Sequence, residues 1–78
     1  MYNQEQFRRE AGAIIAQTAQ LREEAMLSQQ QVATLLGLSS HGSINAIETG
    51  KTVPRLDTLL RLLSVYGYTL QLVPKTEE

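Results

Sequence analysis

The residues of this chain that could do chemistry lie between positions 41 and 55, and their types suit reading a nucleic acid better than breaking a bond. Asn45 carries an amide that both donates and accepts, which matches the adenine edge in a major groove. Ser43 offers a permissive hydroxyl. With His41 and Ala46 these residues make a sparse base-reading set without an arginine for guanine. Lys51, Thr52 and Arg55 follow, and their side chains suit phosphate oxygens. The alternative for these three is ordinary solvated surface. Ser39, Ser40 and Ser43 crowd around the single histidine, but this is turn composition, not a nucleophile with its base. The chain has no cysteine and no glycine-rich phosphate loop, and one histidine cannot form a metal cluster. The expectation is no enzyme, no metal and no cofactor.

Two short helices must position these residues. Ser28 can cap a helix over 29–36, and Gln31, three residues on, completes a capping box. Val32, Leu35 and Leu36 recur at helical spacing beside small Ala33. Gly37 is placed to end that helix in the left-handed conformation. Ser39 or Ser40 can cap a second helix over 41–48 with Ile44 and Ile47 inward, and Gly50 ends it. Two capped helices across a glycine-containing turn match a DNA-binding helix-turn-helix, with 41–48 as the recognition helix. A plain helical hairpin in some other bundle is the alternative.

The remaining chain frames this pair. Residues 4–26 read as one long helix after Asn3, with Phe7, Ala11, Ile14, Ile15, Thr18, Leu21 and Ala25 on one face. No glycine stops it; Met26 and Leu27 lead directly to Ser28. Leu56, Leu59, Leu60, Leu62 and Leu63 predict an apolar helix over 55–66, which Gly67 stops. Residues 68–73 alternate Tyr68, Leu70 and Leu72 against Thr69, Gln71 and Val73, which reads as a strand closed by Pro74. Nothing else in the chain can pair with a lone strand. The same strand of a second copy would satisfy it and bury Tyr68, Leu70 and Leu72 in a dimer interface. A frayed extended tail over the chain's own core is the alternative.

Seventy-eight residues make one small domain over 1–78, with a core limited enough that oligomerisation is a fair expectation. The net charge of −1 counts against nucleic acid as a partner; without Glu77 and Glu78 the balance is +1. No apolar run approaches the roughly 20 residues of a membrane span. The first residues are polar and acidic, unlike a signal peptide. A cytoplasmic protein is the expectation.

Leu21-Arg22-Glu23-Glu24-Ala25-Met26-Leu27-Ser28-Gln29-Gln30-Gln31-Val32-Ala33, continued by Gly37, Ile44, Ile47-Glu48 and Gly50-Lys51, resembles the lambda-repressor/Cro-like (XRE-type) helix-turn-helix family. Residues 56–73 are similar to HipB-type antitoxins within it. The resemblance implies a mainly α bundle with a C-terminal strand paired in a homodimer. It implies a repressor on a double-stranded, palindromic operator, and a HipA-like kinase toxin as a further partner. It also places Gln29 at a phosphate, and Arg22 in a structural ion pair with Glu48. Two departures stand out. Met26 occupies a position where the family commonly has glycine. The six residues between Gly37 and Ile44 are one more than the family usually has. If the extra residue loops out in 38–40, the recognition helix keeps its register from His41; if it lies at His41-Gly42, the first turn is distorted. That departure, Gly42 and the acidic balance support a second reading. In it the motif is a scaffold that binds a toxin or partner subunit, with weak or no DNA binding of its own.

Overall fold

A computed structural model describes residues 2–76 as four helices: α1 (Gln4–Glu24), α2 (Gln29–Leu36), α3 (Gly42–Glu48) and α4 (Leu56–Val65). Glu77 and Glu78 lie outside the described residues. The boundaries of the first two helices have local causes. The Asn3 side chain accepts from the Glu5 backbone N–H at 2.8 Å and starts α1. Ser28 Oγ accepts from the Gln31 N–H at 3.0 Å, while Gln31 Oε1 accepts from the Ser28 N–H at 2.8 Å, closing the capping box of α2. Gly37, at φ +75°, then turns the chain so that the Leu38 N–H reaches the Ala33 carbonyl at 2.8 Å.

α1 stops at Glu24, two residues short of the expected end, and the reason is Met26. This residue takes the left-handed conformation, φ +59°, where glycine would be the unstrained choice. The Met26 and Leu27 N–H groups return to the Glu23 and Arg22 carbonyls, the same closing pattern that Gly37 gives α2. A methionine therefore supplies the stop signal that the sequence lacks.

The core gathers Ile15 from α1, Val32, Ala33 and Leu36 from α2, Ile44 and Ile47 from α3, and Leu59, Leu62, Leu63 and Tyr66 from α4 and its end. Thr18 is fully buried among them, and its hydroxyl donates to the Ile15 carbonyl at 2.7 Å, so that group is satisfied. Two leucines with helical spacing stay out. Leu35 is 61% exposed because α2 turns the faces of Val32, Ala33 and Leu36 inward, and Leu56 is exposed at the start of α4. On α1 only Ile15 and Thr18 are buried; Phe7 and Ile14 lie on its half-open N-terminal part.

The strand expected over 68–73 is absent from the single chain. After Gly67, residues 68–76 run without regular backbone pairing, and Leu72 is fully exposed. The alternation of Tyr68, Leu70 and Leu72 is present in the sequence, but a ladder requires a second strand, and the other described elements are all helices. No helix among the described residues is long and apolar enough to cross a membrane.

Candidate nucleic-acid interface

α3 is a short helix that presents one open face. Ile44 and Ile47 anchor it to the core, while Gly42, Asn45 and Thr49 point outward and Ala46 is half-buried. Its start lies at His41. His41 already has helical backbone angles (φ −66°, ψ −16°), and its carbonyl accepts from the Ile44 and Asn45 N–H groups. Residues 38–40 hold the irregular turn, and helical geometry runs from His41 onward. The serine cap expected from Ser39 or Ser40 does not form; no side chain caps α3. With His41 already helical, only the Ser40 carbonyl reaches into the helix, accepting from the Ser43 N–H at 3.2 Å.

The candidate base readers do not all share one surface. Asn45 is exposed on the open face. His41 is exposed at the start of the helix. Ser43 is half-buried and, with Ala46, borders a shallow groove towards Pro54 and Thr58 at the start of α4. Thr49, one helical turn beyond Asn45, shares Asn45's side of the helix and donates to the Asn45 carbonyl at 2.8 Å. Its spacing of four from Asn45 was the signal available in the sequence.

Beneath this face lies a polar cluster joining three helices. Arg22 Nε donates to Glu48 Oε2 at 2.7 Å, and Nη2 donates to Oε1 at 3.3 Å. Arg22 Nη1 donates to the Leu27 carbonyl at 2.9 Å, fastening the turn around Met26. Both charged side chains are nearly out of water, at 14% and 6% exposure. The hydrogen bond to Glu48 raises the Arg22 pKa, against the opposing effect of burial, so the guanidinium stays charged. Gln29 joins from the first turn of α2. Its Nε2 donates to Glu48 Oε1 at 3.0 Å and to Asn45 Oδ1 at 3.3 Å. The Asn45 oxygen keeps a second lone pair and its NH2 group keeps its donors, so the amide remains able to pair with a base edge.

The basic residues follow α3 directly. The Lys51 and Thr52 N–H groups both return to the Ala46 carbonyl, at 2.9 and 3.2 Å, so the chain folds back over the end of α3 with both side chains exposed. Arg55 is exposed and lies 3.3 Å from Asp57, also exposed. Such a surface pair is worth about 0–1 kcal/mol and is readily exchanged for another anion.

The chain matches the helix-turn-helix family over residues 19–73, which covers the polar cluster, both helices of the motif, α4 and the apolar tail. It belongs to that family. It is 38% identical over 76 residues to an uncharacterised HTH-type transcriptional regulator of Haemophilus influenzae, covering 95% of this chain and 76% of that protein. It is 42% identical over 52 residues to the HTH-type transcriptional regulator PuuR of Escherichia coli. That match covers 67% of this chain but only 28% of PuuR. No solved structure gives a significant match.

Proposed function

We propose that this chain is a sequence-specific DNA-binding transcriptional regulator that acts in the cytoplasm as a homodimeric repressor. The observation that carries the reading is the open face of α3, helical from His41, with Asn45 held from below by Gln29 and the Arg22–Glu48 pair. The names of the Haemophilus and Escherichia relatives support it. In this reading α3 lies in a major groove and Asn45 reads an adenine, with His41, Ser43 and Ala46 near the neighbouring bases. Gln29 at the start of α2 and Lys51, Thr52 and Arg55 beyond α3 hold phosphates on either side. Two copies would place two such helices on half-sites about one helical turn apart, so the operator is a palindrome.

Selection from random duplexes, followed by gel-shift titration at physiological salt, tests this. A palindromic site should emerge, and Asn45→Ala should change the preferred base at one position in each half-site. If no sequence is preferred, or Asn45→Ala leaves the preference unaltered, base reading by this face is wrong.

A second reading adds a role and is supported by the likeness of residues 56–73 to HipB-type antitoxins and by the exposed apolar tail. In it the chain is the antitoxin of a toxin–antitoxin pair and binds a HipA-like kinase. A kinase-like neighbouring gene whose product co-purifies with the chain and is toxic without it would support this role; a neighbour harmless when expressed alone would oppose it. Tight binding to the partner with no specific DNA site would favour the motif as a protein-binding scaffold.

A further inference from the structure

An open groove runs between the N-terminal half of α1 and the segment that follows α3. Phe7, Ala11, Gly12 and Ala16 form one wall and floor, Thr49 and Val53 the other, and the space measures about 730 Å³. The floor is made of small residues; a Cβ on Gly12 would meet nothing within 4 Å. Phe7 and Val53 are exposed at its rim. The chain's own tail does not line this groove. Tyr68, Leu70, Leu72 and Val73 are all exposed instead, on a segment whose backbone groups lack ladder partners.

The total surface says how much is left open. The chain exposes 6137 Å². A compact monomer of its mass exposes about 4,700 Å². Its radius of gyration, 13.6 Å, also exceeds the roughly 11.5 Å of a compact chain of this length. The excess surface is larger than the roughly 800 Å² each partner buries in a standard interface. Among the described residues there is therefore an apolar groove without an occupant and an apolar extended segment without a groove.

We propose that the tail of a second copy, residues 68–73, fills this groove, and that the two copies exchange tails reciprocally. This deepens the homodimer reading above and rests on it. An extended chain suits the small floor of Ala11, Gly12 and Ala16, because Tyr68, Leu70 and Leu72 share one face and would turn together onto that floor, between Phe7 and Val53. The groove wall is also the segment that leaves α3, so exchanged tails would join the partner directly to the end of the recognition helix.

The experiment is native mass spectrometry with sedimentation velocity on the full chain and two variants. Gly12→Arg fills the groove floor from an exposed helical site where arginine favours helix, so its fold is kept. Leu70→Glu with Leu72→Glu charges the tail; far-UV circular dichroism checks that both variants retain wild-type helicity. The wild-type chain should be a dimer at micromolar concentration, and each variant should dissociate at least tenfold more readily. Mixing the two variants should then produce a heterodimer tighter than either variant alone, since one intact tail meets one intact groove. A strand ribbon between two tails predicts the opposite: an undisturbed Gly12→Arg dimer and no heterodimer rescue. Either of those results overturns the exchange while leaving the dimer. A wild-type monomer at hundreds of micromolar overturns the dimer and the exchange together.

Discussion

At the scale of single residues, Arg22 and Glu48 carry most of the polar architecture. The pair is nearly dry, so its net contribution over an apolar substitute is small, yet removing one member strands the other. Arg22→Ala should cost about 3 kcal/mol, since Glu48 loses its partner and the Leu27 carbonyl loses a donor. In a domain of this size that lowers Tm by about 10 °C or more. Arg9→Ala, on exposed α1 surface, should shift stability by no more than about 0.5 kcal/mol. Arg61 is a poor comparator, because it donates to the Leu36 carbonyl at 2.9 Å and serves the end of α2. Equal melting shifts for Arg22→Ala and Arg9→Ala by calorimetry would refute the assignment.

Tyr66 is the other residue with a specific cost. Its hydroxyl is buried without a hydrogen-bond partner among the described residues. Burial first, then the nearby Glu48 charge, pushes its pKa up to about 12. The folded state therefore holds this proton more tightly than the unfolded chain, whose tyrosines titrate near pH 10. The stability it supports is complete below about pH 10 and is lost as pH rises through about 12. Tyr66→Phe should leave stability at pH 7 unchanged or slightly raised, since an unsatisfied hydroxyl is removed. It should also flatten the decline between pH 10 and 12 in denaturant titrations. A clear loss at pH 7 would mean that the hydroxyl has a partner.

At the scale of elements, the joint between α1 and α2 is the strained point. Met26 holds a left-handed backbone conformation with its side chain 88% exposed, so it is paid no packing for the strain. Met26→Gly should stabilise the chain by about 1 kcal/mol, with the left-handed penalty of a side chain outweighing the greater freedom of unfolded glycine. Thermal unfolding checks this, and a destabilised variant would show that the methionine packs elsewhere. The helices themselves were largely legible in the sequence, because caps and apolar spacing are local signals. The capping box at Ser28 and Gln31 and the turn at Gly37 formed as read. The end of α1 was not legible, since a left-handed methionine has no marker of its own. The open cap of α3 was not legible either, because His41 is already helical and neither Ser39 nor Ser40 takes the cap.

At the scale of the whole molecule, charge and shape govern binding. A net charge of −1 gives little long-range attraction to DNA, so in the proposed reading local cations, Lys51 and Arg55 among them, and the start of α2 hold the phosphates. For a chain that binds DNA, Lys51→Ala with Arg55→Ala should weaken binding to all duplexes alike. It should reduce the slope of log K against log salt by about two per binding chain, as two phosphate contacts are lost. A slope unchanged from wild type in fluorescence titrations would remove these residues from the interface. The shape is extended, 42 Å along its long axis, and α1 with its 21 residues accounts for about 30 Å of length by itself.

The sequence by itself determined the four helices, the Ile44–Ile47 core of α3 and the candidate polar residues, because spacing and caps act within a few residues. It also placed Arg22 and Glu48 as a pair, through family resemblance and not through any local rule. Tertiary structure alone decided which apolar residues are inside, since Leu35 and Leu56 have helical spacing yet face solvent. It brought Gln29 to Asn45, 16 positions away, and moved Ser43 towards α4. It left residues 68–76 without a strand, because backbone pairing is a property of two segments and the alternation of one segment cannot supply the other.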